Sequence, residues 1–534
     1  MKDCRPPVLT NAVARVVFLF VFHFVSIYVA TSAELAGSRE AQEKFRKLVL
    51  HEPRARLSEL ARISDDANAL TRTFLSPAHR RGAKRIAEWM EDAGLKVWID
   101  IVGNVHGRTD WGFPGAPAVF LGSHYDTVLD AGEYDGTLGI LASIAAVKYL
   151  DVDGWSDAQL NKNVSRRYPV EIVAFSDEEG ARFQSTFLGS KALSGSLLQD
   201  KMLHVHDAEG LALIDVLKDN GMDEDLSLLE KLAVPKELFK AYVEIHSEQG
   251  PKLSIMGSPL GVVSGIAGQT RLQVSVLGDQ NHAGTVPMPV RKDALVGAAE
   301  IIHKIEQICK DMANEEVTQL LKDVHKRQIK EAGTCPQRND VSGCNAAKRP
   351  GMLVCTVGQL SVWPGASNVI PGSANFTIDV RSGSDDDRDL ALLEISREIG
   401  LICAKRGLNC DIEKRHDAGS VKCDPDTTLM LEESAEEAIE TVQEMLLDGS
   451  EMHNFVCRNS HREDCRNWNK AAHVPSLISG AGHDALVMNE IGPVGMVFVR
   501  DNGISHSPKE RIDELDIAAA TMTIVNYLKK EMEN

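Results

Sequence analysis

The sequence has 534 residues, of which 43% are hydrophobic, and a formal net charge of −19. This length is enough for more than one domain and for a large hydrophobic core. The acidic balance argues against a nucleic-acid backbone as a partner, because binding phosphates requires a surplus of lysine and arginine. The same charge favours a soluble protein but does not indicate a fold class.

Residues 1–33 differ in composition from the rest of the chain. Basic residues precede an apolar run at 16–30, and small residues at 31–33 follow it. This pattern is typical of a secretory signal peptide cleaved near Ala33. An uncleaved membrane anchor is the alternative, since residues 16–33 are just long enough to span a bilayer, although His23 weakens that interpretation. Cleavage predicts a protein of the endoplasmic reticulum lumen or secretory pathway without further membrane contact.

The cysteines lie almost entirely in the second half of the chain. Of the ten, nine follow the presumed signal, and an odd number leaves one thiol free even in an oxidising lumen. Cys335 and Cys344 flank a polar segment and are candidates for pairing. The sequence contains no Cys-x-x-Cys unit, which argues against a thiolate zinc site.

The clearest candidate for a site lies where a predicted strand ends. An apolar run at 118–121 predicts a buried strand. His124 and Asp126 follow at a spacing of two, which places both side chains on one face of an extended backbone. A carboxylate there can accept the spare N–H of a metal-bound imidazole. Asp135 then precedes an apolar helical segment at 138–150, where it can cap the helix or bind a cation.

Two further predicted strands end in side chains that can bind metals. A strand at 170–175 is followed by Glu178 and Glu179, of which one can bind a metal ion while the other takes a proton from bound water. A strand at 241–245 ends in His246. Adjacent glutamates usually form a solvated turn, and a single histidine is more often structural. Three such strand ends in one chain nevertheless favour a metal site.

From residue 259 the order of predicted elements changes. It becomes β-α-β-β-α-β, which is the order of a ferredoxin-like α+β sandwich. Its strands are predicted at 261–277, 353–362, 374–381 and 409–414, and its helices at 293–312 and 386–406. We therefore expect an inserted domain that interrupts a catalytic domain. The expected divisions are a signal or anchor at 1–33, the catalytic domain at 34–258 and 418–534, and the inserted domain at 259–417.

Six motifs in order resemble the amidase and carbamoylase branch of the M20 dinuclear metallopeptidases. They are His124-x-Asp126, Asp135-Gly136, Glu178-Glu179-Gly180, Glu244-Ile-His246-x-Glu-Gln-Gly250, His282-Ala-Gly-Thr285 and Ser479-Gly-Ala-Gly-His-Asp-Ala485. The resemblance covers residues 45–530. It implies an α/β catalytic domain with a dinuclear metal site and an inserted ferredoxin-like α+β domain for dimerisation and closure over the substrate.

The resemblance also implies a set of metal ligands. Two divalent ions per subunit, Mn²⁺ in preference to Zn²⁺, would share Asp135 as a bridge. One ion would be held by Glu179 and His483, and the other by His124 and His246. This set of nitrogen and oxygen ligands suits either metal.

The remaining candidates acquire roles from the same resemblance. Glu178 would be the general base and then the proton donor to departing ammonia, while Asp126 would orient His124. His282 would reach into the active site of the partner subunit and stabilise the tetrahedral oxyanion. Arg381 would pair bidentately with a substrate carboxylate. Hydrogen bonds to the ureido and carboxylate groups would come from Asn368, Gln269 and Gln249.

The implied activity is the hydrolysis of allantoate to ureidoglycine, ammonia and carbon dioxide by a homodimer. Ureidoglycolate or an N-carbamoyl amino acid is the alternative substrate on the same scaffold. A catalytically silent binding or scaffold protein is the alternative of another class. That alternative predicts a lost ligand or base, whereas every expected residue is present in the chain.

Overall fold

The computed structural model describes residues 39–153, 168–198, 201–222, 226–313, 352–446 and 474–533. The presumed signal at 1–33 and the predicted pairing of Cys335 with Cys344 lie outside these ranges. Within them, every helix is too short or too polar to cross a membrane. The described residues form two units, each built around its own β-sheet.

The strands and helices have the following bounds. The strands are β1 Lys96–Ile99, β2 Val105–Arg108, β3 Ala118–His124, β4 Val170–Phe175, β5 Phe239–Ser247, β6 Leu260–Ile266, β7 Gly268–Leu277, β8 Asn281–His282, β9 Leu353–Thr356, β10 Leu360–Trp363, β11 Val369–Ile370, β12 Ser373–Ser382, β13 Asn409–Ala418, β14 Val421–Lys422, β15 Ser476–Ser479 and β16 Val494–Val499. The helices are α1 Glu52–Ala61, α2 Pro77–Asp92, α3 Thr137–Val152, α4 Leu188–Ser194, α5 Leu213–Asp219, α6 Ser227–Glu230, α7 Lys252–Met256, α8 Ala294–Met312, α9 Asp385–Arg406, α10 Pro425–Leu446, α11 Asp484–Met488 and α12 Glu514–Glu533.

The larger unit is a nine-stranded sheet covered on both faces. Its strand order is β1-β2-β4-β3-β5-β16-β6-β14, with β15 also paired to β6. At its centre β3 runs parallel to β4 and β5, and β5 runs parallel to β16. Side chains of β3 alternate between two cores, with Val119 and Leu121 in one and Ala118 and Phe120 in the other. Because both faces of β3 are buried, its sequence at 118–121 is a continuous apolar run with no alternation of polar residues.

Helix α3 packs into one of these cores together with α10 and α12. It is buried around nearly its whole circumference, which explains its almost uniformly apolar sequence. The helix begins at Thr137, two residues after Asp135, so the packing of α3 restricts the position of that carboxylate at the edge of the sheet.

The smaller unit is a five-stranded antiparallel sheet with α8 and α9 on one face. Its order is β10-β12-β7-β13, with β9 also paired to β12. Along β7 and β12 the apolar side chains alternate with polar ones and form the core against the helices. The opposite face therefore carries polar side chains, among them Gln269, Arg271, Asp379 and Arg381. The predicted β-α-β-β-α-β order is confirmed, except that residues 353–362 form two short strands.

The predicted single strand at 261–277 is wrong. Residues 260–266 form β6, which pairs with β16 and β15 in the larger sheet, and only β7 belongs to the smaller one. Strand β6 is buried on both faces, as a doubly covered sheet requires, whereas β7 alternates. The chain therefore leaves the larger sheet at Ala267, not at residue 259, and rejoins it at β14.

Two disulfides lie in the smaller unit. Cys309 on α8 is bonded to Cys355 on β9, and Cys403 on α9 is bonded to Cys410 on β13. Each disulfide therefore fastens a helix to the sheet beneath it. Among the described cysteines, Cys423 is a free and buried thiol.

Candidate metal centre

Three parallel strands bring the predicted ligands together. Strands β4, β3 and β5 are neighbours, and His124 at the end of β3 lies in register with Phe175 at the end of β4. The segment that carries Glu178 and Glu179 follows β4, and His246 lies near the end of β5. Side chains that follow parallel strands meet at the carboxyl edge of the sheet, which is the usual place for a site in an α/β fold.

Asp135 is the centre of the cluster on the side of β3 and β5. Its Oδ1 lies 3.8 Å from Nε2 of His124 and 3.4 Å from Nε2 of His246, and all three side chains are buried. Gly136 has a φ of +66°, and a Cβ atom there would lie 2.5 Å from the ring of His124. Glycine is therefore required for the imidazole to approach this loop.

The two imidazoles present their Nε2 atoms to a common point. Nδ1 of His124 donates to the carbonyl oxygen of Asp126 at 3.1 Å, and Nδ1 of His246 donates to that of Ser247 at 3.0 Å. Because a carbonyl can only accept, each Nδ1 carries a proton, and Nε2 is the ring nitrogen that can bind a metal ion. The two Nε2 atoms lie 3.4 Å apart. Such an arrangement is that of metal-binding histidines whose tautomer is fixed from behind.

His506 completes the other side of the cluster. Its Nε2 lies 3.2 Å from Oδ2 of Asp135 and 3.4 Å from Oε1 of Glu179. The Asp135 carboxylate therefore stands between His124 and His246 on one side and His506 with Glu179 on the other. The sequence analysis did not identify His506 as a candidate ligand. The available signal is a histidine in the loop that follows the buried strand β16.

The structure groups His483 with residues other than Glu179, with which it was predicted to share an ion. His483 lies directly before α11, behind His246, with ring centroids 4.5 Å apart. Its Nε2 is hydrogen-bonded at 2.8 Å to Oγ of Ser479, and its ligand atoms group with those of Glu244 and His246.

Asp126 joins the ends of two strands. Its Oδ1 and Oδ2 accept the backbone N–H groups of Glu178 and Glu179, at 3.0 and 3.2 Å. Nδ1 of His124 lies 3.4 Å from Oδ1, farther than from the Asp126 carbonyl. The predicted orientation of His124 by Asp126 therefore comes mainly from the backbone, while the carboxylate holds the segment with the two glutamates.

A second buried network supports the same two strand ends. Tyr125 stacks on His79 at 4.2 Å between ring centroids, and its hydroxyl donates to the carbonyl of Gly103 at 2.7 Å. Nε2 of His79 donates to the carbonyl of Ser176 at 2.7 Å, and Nε of Arg72 donates to that of Tyr125 at 2.6 Å. Tyr125, which lies between His124 and Asp126, is thus held through both its side chain and its backbone carbonyl.

The electrostatics of the cluster fit a divalent cation. Burial and the neighbouring Asp135 carboxylate raise the pKa of Glu179 to about 7, and burial raises the pKa of Glu178 well above its usual value. Close contact with the Asp135 carboxylate raises the pKa of His506 to about 9. Oδ2 of Asp135 is buried, and its contact with His506 does not have the geometry of a hydrogen bond. Crowded carboxylates and imidazole nitrogens are ligands that suit Mn²⁺ or Zn²⁺.

Two of the predicted substrate residues, Gln249 and Arg381, line a cleft between the two units. The cleft has a volume of about 840 Å³ and is bordered by Gln249 and His506 from the larger unit and by Arg381 from the smaller one. Gln249 has a φ of +58°, and its amide donates to Oδ1 of Asp135 at 2.9 Å. It therefore contacts the cluster itself and does more than shape the turn.

The cleft wall formed by the smaller unit is organised around Asp379. This carboxylate accepts hydrogen bonds from Nε and Nη2 of Arg381, at 3.0 and 3.1 Å, and from the amide of Gln269 at 2.6 Å. One edge of the Arg381 guanidinium is thus already paired. Asn368 and His282 lie elsewhere on this unit, where both are exposed beside the β8–β11 ribbon.

Comparisons with known proteins show the family of this chain. Residues 264–403 match the peptidase dimerisation domain of the M20 family. The chain is 44% identical to allantoate deiminase of Arabidopsis thaliana over 90% of this chain and 82% of that protein. It is 42% identical to allantoate deiminase 1 of Glycine max over 93% and 92%. The chain belongs to the allantoate deiminase family.

Solved structures extend the comparison to the fold. The crystal structure of AtUAH in complex with glyoxylate matches this allantoate deiminase family member with a TM-score of 0.65 at 27% identity, over 90% of this chain and 97% of that one. A hydantoinase/carbamoylase family amidase from Burkholderia ambifaria matches with a TM-score of 0.66 at 27% identity, over 90% and 96%. The expected fold, an M20-type α/β hydrolase with an inserted α+β domain, is confirmed.

We predict that His506, and not His483, is required for the second metal ion. His506→Ala should lower the bound metal from two ions to one per chain, because Glu179 and Asp135 alone leave that ion without a nitrogen ligand. His483→Asn should keep both. The measurement is metal content by mass spectrometry after equilibrium dialysis against Mn²⁺. Loss of an ion from His483→Asn together with retention by His506→Ala would restore the original assignment.

Proposed function

We propose that this hydrolase converts allantoate and water to ureidoglycine, ammonia and carbon dioxide. The observation that carries the proposal is the Asp135-centred cluster at one end of a cleft whose other wall holds Arg381. A ureido group would lie at the cluster while the carboxylate of the same small molecule faces the guanidinium. Identity of 42–44% to plant allantoate deiminases favours allantoate over the other ureido acids.

Two divalent ions bound to this cluster would lower the pKa of a water molecule and polarise the amide carbonyl. His124, His246 and Asp135 would hold one ion, and Asp135, Glu179 and His506 the other. We favour Mn²⁺, and the ligand set also suits Zn²⁺. The crowding of carboxylates that raises the pKa of Glu179 would be relieved by the cations, so occupation stabilises the charged form of the site.

Glu178 is the group placed to move protons. Its side chain is buried beside the cluster, with ligand-competent atoms close to those of His124 and Glu179. Its backbone is fixed by Asp126, so the carboxylate does not have to be ordered when substrate binds. It would take a proton from the attacking water and deliver it to the nitrogen that leaves as ammonia. A pKa raised by burial suits a group that must both accept and donate near neutral pH.

The polar face of the smaller unit would recognise the substrate. Asp379 holds one edge of Arg381, and Nη1 of Arg381 donates to the carbonyl of Gly480 at 3.0 Å. The guanidinium is thereby pre-oriented, and its remaining N–H groups would bind the carboxylate. Further hydrogen bonds to the ureido groups would come from Gln249, Gln269 and Asn368.

His282 would act across a homodimer. It is exposed on β8, and its Nδ1 accepts the N–H of Gly284 at 3.1 Å, which leaves Nε2 facing outward as a donor. The matched dimerisation domain supports a two-subunit assembly. We propose that this Nε2–H stabilises the oxyanion that forms in the active site of the partner subunit.

The first test is ammonia release by protein beginning at Glu34, stripped of metal and then resupplied with Mn²⁺. We expect metal-dependent release from allantoate, with slower release from ureidoglycolate and N-carbamoyl amino acids. Glu178→Gln is the matched control, because it should bind the metal fully yet lose turnover by about 10²-fold or more. Full activity of Glu178→Gln would refute its role as the base. Release only from another member of the panel would replace allantoate as the substrate.

We predict that Arg381→Lys raises KM for allantoate by about tenfold or more while kcat changes little. Lysine keeps the positive charge. Its single ammonium group, however, cannot pair with Asp379 and also donate two parallel hydrogen bonds to a substrate carboxylate. The exposed Arg397 on α9, which pairs with Glu394 and Glu398, offers a matched control. Arg397→Lys should leave steady-state kinetics unchanged. An unaltered KM in Arg381→Lys would remove this residue as the carboxylate-binding group.

We also propose residence in the endoplasmic reticulum lumen after cleavage near Ala33. The apolar segment at 16–30 supports it, and so do two disulfides, which persist in an oxidising compartment. Expression in eukaryotic cells followed by N-terminal sequencing should give a start near Glu34, and non-reducing peptide mapping should recover both disulfides. An intact Met1 with free thiols at Cys309 and Cys355 would contradict the proposal.

A further inference from the structure

Glu510 is a buried acid that the proposed chemistry does not use. It follows His506 by four residues, and its carboxylate lies against the loop that carries Asp135. Oε2 of Glu510 accepts the backbone N–H of Tyr134 at 2.8 Å and that of Asp135 at 3.2 Å. Only 7% of the residue is exposed. A single side chain thus connects the loops of two metal-site residues that lie more than 350 residues apart.

The Asp135 loop is shaped to receive this carboxylate. At Gly132, a Cβ atom would lie 2.2 Å from Oε2 of Glu510 and 2.5 Å from its Cβ. The backbone at Gly132 does not require a positive φ, so the close approach of Glu510 is the reason for a glycine there. Two independent features, the paired N–H groups and the missing side chain, therefore define one fitted contact.

The loop that presents Glu510 is itself closed at its base. Oδ1 of Asp501 accepts the N–H groups of Gly503 and Arg511, at 2.7 and 3.3 Å, and the N–H of Asn502 donates to the carbonyl of Arg511 at 2.8 Å. Residues 502–511 are thus held as one closed loop. A shift of Glu510 against Asp135 would move His506 with it.

We infer that Glu510 is a positioning residue that sets the distance between Asp135 and His506 and so shapes the second metal site. This inference rests on the proposed metal centre. It does not depend on which ureido acid is the substrate. The contact acts through hydrogen bonds from the backbone to one oxygen, so the acceptor matters and the negative charge does not.

Substitutions can separate the hydrogen-bond acceptor of Glu510 from its negative charge. The amide oxygen of glutamine can accept both N–H groups, whereas alanine accepts none. Gly132→Ala displaces Glu510 without altering its chemistry. Glu490 is exposed near the end of α11, and Glu490→Gln is a control for the same change of charge.

The measurement is calorimetric titration of the metal-free proteins with Mn²⁺, with the midpoint of thermal unfolding recorded for each. We expect Glu510→Ala and Gly132→Ala to weaken binding of the second ion at least tenfold. Glu510→Gln should stay within threefold of the wild type, and Glu490→Gln should match it. Equal weakening in Glu510→Gln and Glu510→Ala would overturn the inference, and so would Glu510→Ala with a lowered unfolding midpoint but unchanged Mn²⁺ affinity.

Two further outcomes keep this inference separate from the proposed function. Should Glu510→Ala not fold, Gly132→Ala and Glu510→Gln decide the matter by the same criteria. Wild-type protein that binds two Mn²⁺ ions but releases no ammonia from allantoate would refute the substrate, while the order of metal affinities among the variants would still support or overturn the role of Glu510.

Discussion

The carboxylate of Asp126 is the constraint on which the catalytic arrangement depends. It is fully buried, and it accepts the N–H groups of Glu178 and Glu179 from the neighbouring strand end. A hydrogen bond to a charged group contributes about 1.5–3 kcal/mol, and a buried carboxylate left without its donors would cost more than that. Glu178, the proposed base, and Glu179, a proposed metal ligand, are therefore held by the same side chain that lies beside His124.

The two units contribute different residues to the proposed site. The larger sheet carries the proposed ligands and the proposed base at the ends of strands that are buried on both faces. The smaller sheet carries the proposed recognition residues on the face that its helices leave uncovered, where Asp379 keeps Arg381 in place. The proposed chemistry thus lies on strands buried on both faces, while the proposed specificity lies on a surface whose residues can change without disturbing a core.

Local sequence patterns predicted much of this arrangement. His124 and His246 lie at the ends of buried strands and Glu179 follows one, while the order of predicted elements from residue 259 indicated the second sheet. His506 was missed because it lies seven residues past β16, and the motif at His483 offered another histidine able to bind a metal. The break at Ala267 was missed because β6 and β7 read as one β-rich run. Contacts such as that of Glu510 with Asp135 join residues hundreds of positions apart and leave no local pattern.

The break at Ala267 has a consequence for how the two units can diverge. The chain leaves the larger sheet from β6 and returns in β14, which pairs with β6 at Val421 and Ile266. The two ends of the smaller unit are therefore hydrogen-bonded neighbours, whatever the number of residues between them. Because closing a loop of twice the length costs only about 0.6 kcal/mol more, the smaller unit can gain or lose long segments without changing the strands at its base.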